Sequence, residues 1–315
     1  WSGPVREEDD PYNDGMTDST LAAVKHVQEV RFLKDGDLTE IKKMIFRYGV
    51  IESSLYIGMN EDSTYLDPES YDPQTCSYIY TGSEAPNHEI VIIGWDDDYP
   101  QEYFMGKADR DGAFICKNSW GSAFGDNGVF YVSYCDVRIG QVCICYTRIE
   151  DPDNYDCIYQ ADRAGWVGLI GYGRNKAYMA NVYTAQGSES LEAVGFYATD
   201  RNTSYRVYVC SDFKDSSSLD VSGKVYAQGT LKDAGYYTVD LSEPVILGGG
   251  QKFAVIVEII TPSQTKPVAI EITTSSVYAE TEGNESYLSS YGDSWECLQD
   301  NESGNICLKA YTRKR

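Results

Sequence analysis

Several residue types that define common classes of binding site are scarce in this sequence. Histidine occurs only twice among 315 residues. The nine cysteines include no CxxC pair, so the donors of a typical zinc site are poorly supplied. Basic residues are also few, because 26 Lys and Arg stand against 49 Asp and Glu, giving a net charge of −23. Nucleic acid is therefore not expected as a partner, since phosphate contacts need a basic surface.

Long apolar runs and a signal peptide are absent as well. No stretch approaches the ~20 apolar residues that a membrane-spanning helix requires. The chain begins with Trp1 and continues directly into turn-forming residues, so a natural amino terminus is not expected. We therefore predict no membrane span, and we interpret the chain as a fragment or a processed product of a longer protein. The odd number of cysteines leaves the disulfide pattern open.

The first 149 residues predict a loop, a strand, one helix and then several antiparallel strands. Asp37 is placed to begin the helix, with Glu40 three residues later in the capping-box position. Apolar residues follow at helical spacing, and Gly49 supplies an end. Short apolar runs bounded by turn formers predict strands at 22–32, 50–57, 88–95, 112–118 and 128–134, with a long loop at 58–86.

A change of pattern after residue 149 predicts a second domain. Residues 150–157 have the composition of a linker, and no good helical period follows from 158 to 315. Short strands recur instead at a spacing of roughly 8–12 residues, which is typical of a β-sandwich or jelly roll. They are predicted at 177–184, 191–198, 205–210, 224–231, 235–241, 252–260 and 306–312. The predicted fold class is α+β, a β-rich half domain followed by an all-β sandwich.

Two segments of the first domain carry residues suited to acid–base chemistry. His88 begins a predicted buried strand, and Asn118 ends another, with Trp120 two positions later. Histidine changes its charge near neutral pH, but as a base toward a thiol it must be held in one tautomer. An asparagine oxygen does this without adding a charge, by accepting a hydrogen bond from one ring nitrogen. The residues therefore suit one task together, an oriented imidazole base whose hydrogen bond to Asn118 would be kept from water by the indole of Trp120. His26 has no partner motif and is interpreted as structural.

These segments resemble the second half of a papain-family cysteine peptidase. The resemblance rests on the His88 strand, on KNSWG at 117–121 and on GDNGVF at 125–130. The opening segments GPV and DDPY resemble the stretch that follows the glycine-rich substrate-binding segment in bacterial members. The resemblance covers residues 1–149 and implies that His88 is the general base and acid, Asn118 its orienting partner and Trp120 a supporting residue. It implies no required cofactor.

The nucleophile that the family implies has no counterpart in the chain. The family places its cysteine in a Gln…Cys-Gly-Ser/Ala-Cys-Trp context near the mature amino terminus, and none of the nine cysteines has that context. We therefore expect the cysteine in an upstream segment of the same protein, and we expect this chain alone to be inactive. Cys116 shares a strand face with Asn118 and is interpreted as a core residue, as are Cys143 and Cys145.

Residues 158–315 resemble the lectin-like domain attached to some bacterial papain-family peptidases. The matching segments include ANVYTA at 180–185, AVGFY at 193–197 and GYYTVDL at 235–241. The resemblance implies a β-sandwich, and glycan binding does not follow from that shape alone. Asp293, Asp300 and Asn301 are candidate calcium ligands, without a loop motif of ligand spacing.

The sequence thus indicates a cysteine endopeptidase that acts on protein or peptide substrates and is extracellular or associated with a bacterial cell wall. A second hypothesis is an inactive peptidase homologue that binds a cell surface or a glycan through its sandwich. A third is a processed heavy chain held noncovalently to a cysteine-bearing light chain. The sequence of the residues that precede Trp1 would discriminate among these three hypotheses.

The region around His88 is strongly acidic. No Lys or Arg occurs between Arg47 and Lys107, whereas twelve Asp or Glu do. One hypothesis is a negative cleft rim that stabilises the imidazolium form of His88 and favours basic substrates. The alternative is a solvated acidic loop without a role in the cleft.

Overall fold

The computed structural model describes residues 3–11, 20–34, 37–59, 66–281, 283, 285–301 and 304–315. Contacts divide the chain into two compact units, which are treated separately below. The smaller unit comprises residues 31–147, and the larger unit comprises residues 1–30 together with 148–315. No helix among the described residues is long and apolar enough to cross a membrane.

The smaller unit contains one long helix and a set of short strands. The helix is α1 (Leu38–Tyr48). The strands are β2 (Ile51–Leu55), β3 (Tyr71–Asp72), β4 (Ser77–Tyr78), β5 (His88–Asp96), β6 (Ala113–Lys117) and β7 (Val129–Ser133). A 3-10 helix covers Gln101–Phe104. Two further strands, β1 (His26–Lys34) and β8 (Val142–Glu150), run from one unit into the other.

The strands of the smaller unit lie in the order β3-β4-β7-β6-β5-β2-β8. The pairs are antiparallel except for β4 and β7, which are parallel. One face of this sheet packs with α1 into a core that includes Ile41, Ile51, Ile92 and Phe130. The core holds β5 and β6 side by side, and these two strands carry the candidate site.

The predicted helix is confirmed by its own local chemistry. The Asp37 side chain accepts a hydrogen bond from the backbone N–H of Glu40 at 2.7 Å, and so caps the first turn. Gly49 ends the helix at φ +95°, a conformation that favours glycine. Between these two signals, apolar side chains at helical spacing bury Ile41, Met44 and Ile45.

The larger unit is a β-sandwich, as predicted. Its strands are β9 (Cys157–Tyr159), β10 (Gly168–Ile170), β11 (Lys176–Thr184), β12 (Glu189–Ala198), β13 (Thr203–Cys210), β14 (Ala227–Leu231), β15 (Ala234–Leu247), β16 (Lys252–Ile260), β17 (Val268–Ile272), β18 (Ser286–Ser289), β19 (Glu296–Cys297), β20 (Gly304–Ile306) and β21 (Leu308–Lys314). A short helix, α2, covers Leu298–Asn301.

This unit contains the six-stranded sheet β14-β13-β16-β11-β18-β19, the three-stranded sheet β10-β17-β20 and the four-stranded run β15-β12-β21-β9. Alternate residues of their strands point into one shared core. Met179 and Val257 enter that core from the six-stranded sheet, and Phe196 and Ala310 enter it from the four-stranded run. Side chains from two layers of strands therefore pack into one core, and this packing stabilises the unit. The strand spacing predicted this sandwich arrangement.

Some predicted elements were wrong in detail. The predicted loop at 58–86 contains the two short strands β3 and β4, each held by only two residues of pairing. The strand predicted at 306–312 is divided into β20 and β21. Cys307 lies between these two strands, and its backbone N–H donates to the carbonyl of Ala269. The strand predicted at 224–231 begins only at Ala227. The strands β9, β10, β17, β18 and β19 were not predicted.

Candidate active site

The pairing of β5 with β6 brings His88 and Asn118 together. The strands are antiparallel, and Val91 lies opposite Lys117. The first residue of β5 and the residue that follows β6 therefore lie at the same end of the pair. There, Nε2 of His88 is 2.9 Å from Oδ1 of Asn118, as the sequence predicted for two segments 30 residues apart.

The second contact of the Asn118 oxygen fixes the direction of this hydrogen bond. Oδ1 also accepts from the backbone N–H of Ser119 at 2.8 Å, which identifies it as the amide oxygen. An amide oxygen can only accept, so Nε2 of His88 carries the hydrogen in this pair. In the neutral ring, Nδ1 then holds the free lone pair and is the nitrogen available to take a proton from a thiol.

The position of Asn118 depends on a tight turn that follows it in sequence. The backbone N–H of Asn118 donates to the carbonyl of Gly128 at 3.0 Å, and Asn118 is only 4% exposed. Gly125 has φ +55°, and a Cβ atom there would lie 2.2 Å from the carbonyl oxygen of Val129. Only glycine permits this close approach, so the turn depends on that residue. Lys117 secures the same turn by donating from Nζ to the Asn127 carbonyl at 2.6 Å.

Trp120 lies beside the histidine ring. The ring centroids of His88 and Trp120 are 5.1 Å apart, with an interplanar angle of 45°. Phe124 packs against the indole in an edge-on arrangement with a centroid distance of 5.1 Å. Trp120 is nevertheless 41% exposed, so it covers one side of the site while its outer face meets solvent. The expectation that Trp120 limits water access stays a prediction.

The three cysteines that were predicted to be core residues are buried. All nine cysteines of the chain are free thiols. Cys116, Cys143 and Cys145 are fully buried in the core of the smaller unit, as predicted. Burial raises the pKa of the Cys116 thiol well above its ordinary value, so this residue is unsuited to supply a thiolate. Cys76 is half-buried in the segment between β3 and β4.

His26 is buried, and its Nδ1 lies 2.6 Å from Oδ1 of Asn154. Asn154 in turn donates from Nδ2 to Glu150 at 2.7 Å. The ring thus holds the start of β1 against the segment after β8, which accords with a structural role. This partnership joins residues 128 positions apart, and no local motif in the sequence indicated it.

The described residues contain no group of three or more His, Cys, Asp or Glu that could hold a metal ion. Calcium binding by Asp293, Asp300 and Asn301 stays a prediction.

The two halves of the chain match two known domain models. Residues 2–147 match the papain family cysteine protease model, and residues 158–312 match the lectin like domain model. No curated protein matches the sequence.

Two solved structures resemble almost the whole chain. One is the clostridial cysteine protease Cwp84 after propeptide cleavage, at 28% identity and a TM-score of 0.81, covering 99% of this chain and 79% of that one. The other comprises the cysteine protease and lectin-like domains of Cwp84, a surface layer associated protein of Clostridium difficile. It is 27% identical, has a TM-score of 0.78, and covers 100% of this chain and 71% of that one. The chain thus joins a papain-family cysteine protease region to a lectin-like domain.

Proposed function

We propose that the protein is a cysteine endopeptidase in which His88 and Asn118 act on a thiol supplied from upstream of Trp1. The observation that carries the proposal is the hydrogen bond of 2.9 Å from the His88 ring to Asn118. It leaves Nδ1 as the free base, and the ring is only half-buried, so a thiol can reach it.

The proposed reaction assigns one task to each residue. Nδ1 of His88 takes the proton of the thiol, and the resulting thiolate attacks the peptide carbonyl. The imidazolium then gives that proton to the leaving amine, so the C–N bond breaks as a neutral amine departs. Water later releases the acyl group, with His88 again acting as base. Asn118 keeps the ring in one tautomer and orientation through both stages.

The substrate class in this proposal is protein or peptide, and the expected location is the bacterial cell surface. The surface location is supported by the likeness to Cwp84, which is described as surface layer associated. Because none of the nine cysteines has the context of a nucleophile, the chain of 315 residues alone is expected to be inactive.

The test uses the natural full-length protein that contains this chain. We expect it to hydrolyse a quenched fluorescent peptide library, and we expect iodoacetamide to abolish the activity. His88→Ala should reduce kcat/KM by about 100-fold or more, since general acid–base catalysis typically contributes that much. His26→Gln, at the other histidine, is the matched control and should retain activity. Hydrolysis that resists alkylation, or that survives in His88→Ala, would contradict the proposal.

A further inference from the structure

One face of the sheet in the smaller unit points away from the core and carries two carboxylates near His88. On β5, Ile90 and Ile92 enter the core, so Glu89 and Val91 lie on the opposite face. On β2, Ile51 and Leu55 enter the core, so Glu52 lies on that same opposite face. The two glutamates therefore share a face, one strand apart.

The strand register makes them diagonal neighbours. Ser54 lies directly opposite Glu89, and Glu52 lies directly opposite Val91. Residues in such a diagonal relationship are separated by about 7–8 Å, within the joint reach of long side chains. Glu89 also follows His88 directly in the chain, so the carboxylate pair lies at the end of β5 that carries His88.

The pair has no cationic partner. Within the part of the chain that the structure describes, no Lys or Arg is close enough to either carboxylate to lower its pKa. Lys117 lies on the same face, but its ammonium donates a hydrogen bond to the Asn127 carbonyl. Burial raises the pKa of both carboxyls, and the charge of Glu52 raises that of Glu89 further. The Tyr146 hydroxyl acts in the opposite direction on Glu52.

A buried hydroxyl without a partner lies between the two glutamates. Ser54 is 4% exposed, and its Oγ has no hydrogen-bond partner. On β8, Ile144 lies opposite Glu52 and Cys143 lies opposite Ser53, so Val142 is the neighbour of Ser54, and the Tyr146 hydroxyl contacts Glu52. Val142 and Tyr146 are 49% and 45% exposed. Among the described residues, this face of the sheet thus carries two carboxylates without a cationic partner and one buried hydroxyl without a hydrogen-bond partner. Solvent-exposed Val142 and Tyr146 lie next to them.

We propose that Glu89, Glu52 and Ser54 form a subsite for a lysine or arginine side chain of the peptide substrate. This inference rests on the proposed peptidase function. A long basic side chain fits each part of the face, because its methylene stem packs on Val142 and Tyr146 while its charged head reaches the carboxylates. The hydroxyl of Ser54 accepts one further N–H, which would otherwise be left without a partner.

The location restricts which residue of the substrate is selected. Consecutive Cα atoms are about 3.8 Å apart, so Glu89 lies one residue from the base at His88. An extended peptide advances about 3.3 Å per residue and points successive side chains to opposite sides. The selected residue therefore lies within two positions of the scissile bond. The acidic interval in the sequence did not indicate which of its carboxylates contact a substrate. The subsite assigns that contact to Glu52 and Glu89.

The experiment compares arginine with citrulline, its neutral analogue of nearly the same shape, at each of the two positions on either side of the scissile bond. In the full-length protein, we expect kcat/KM for the arginine peptide to exceed that for the citrulline peptide by tenfold or more at one position, since charge-assisted hydrogen bonds contribute on that order. In Glu52→Gln/Glu89→Gln, the ratio should approach one, because the neutral side chains no longer distinguish the charged peptide from the neutral one. Glu102→Gln, an exposed glutamate in the 3-10 helix, removes a charge elsewhere and should keep the ratio.

The outcomes separate this inference from the proposed function. Equal cleavage of both peptides by the full-length protein would overturn the subsite and leave the peptidase function standing. If neither peptide is cleaved, calorimetric titration of each into the protein decides the matter. Tighter binding of the arginine peptide, lost in the double variant, supports the subsite even then. Equal affinities, or a preference that survives in the double variant, overturn it.

Discussion

The ammonium of Lys309 lies 2.5 Å from the carboxylate of Asp162, although the two residues are 147 positions apart. Their side chains are 8% and 0% exposed, so the pair is buried inside the larger unit. Burial raises the pKa of Asp162, and the charge of Lys309 acts against that rise. Removing one member of such a pair leaves an uncompensated charge in the interior, which is more costly than the loss of the contact itself.

We therefore predict that Lys309→Met lowers the free energy of unfolding by about 3–5 kcal/mol at neutral pH. The loss should shrink in acid, because a protonated Asp162 no longer needs the cation. Chemical denaturation at several pH values measures this. Lys314→Met, at an exposed position on the same strand, should change stability by less than about 0.5 kcal/mol. A double variant, Asp162→Leu/Lys309→Met, should cost less than the sum of the two single variants, and strict additivity would contradict the coupling.

The second prediction concerns the residue that orients the histidine. Asn118→Ala removes the acceptor for Nε2, so the ring of His88 samples both tautomers and other orientations. We expect kcat to fall roughly 100-fold with little change in KM, because the lost contact serves the acid–base step and not binding. Asn118→Asp keeps an acceptor oxygen and should retain more activity, with an altered pH profile of kcat/KM. An unchanged profile in both variants would show that Asn118 is only structural.

The third prediction concerns the indole beside that hydrogen bond. Trp120→Ala opens one side of the His88 ring to water, which competes for the bond to Asn118. A typical protein hydrogen bond has a net value of about 1 kcal/mol, so we expect kcat/KM to fall by roughly fivefold to tenfold. Trp120→Phe keeps an aromatic cover and should restore most of the rate. If Trp120→Phe is as impaired as Trp120→Ala, the role of Trp120 depends on something other than shielding.

Local chemistry made some features readable from the sequence. Helix α1 was predictable because Asp37 and Gly49 act on backbone groups within one turn of themselves. His88 and Asn118 were predictable as partners because each belongs to a short segment whose residue types suit one reaction.

Other features depend on contacts that no local pattern encodes. Strand β4 exists because Ser77 and Tyr78 pair in parallel with Tyr131 and Val132 on β7. A pairing of two residues leaves no period in the sequence. The carboxylate pair is similar, since Glu52 and Glu89 become neighbours only through the register of β2 on β5. A shift of one residue would send one of them to the opposite face.

The last prediction concerns a buried carboxyl near the segment that leads into β5. Asp136 is 7% exposed, and its oxygens accept backbone hydrogen bonds from Tyr80, Arg138 and Ile139. Burial raises its pKa to about 6, and the backbone donors act in the opposite direction without cancelling the rise. The pKa of an aspartate in an unfolded chain is about 3.9. The folded protein therefore binds this proton more tightly than the unfolded chain does.

The sign of the effect follows from that difference. As pH falls from 7 to 4, Asp136 becomes protonated in the folded protein first, so it stabilises the fold by up to about 3 kcal/mol relative to pH 7. Asp136→Asn cannot titrate, and it loses an acceptor equally at every pH. We expect the difference in unfolding free energy between wild type and Asp136→Asn to grow as pH falls from 7 to 4 and then to level off. Asp98→Asn, at an exposed position, controls for the change in total charge. A difference that stays constant across this range, or that shrinks on acidification, would show that the three backbone donors stabilise the Asp136 carboxylate at least as much as burial destabilises it.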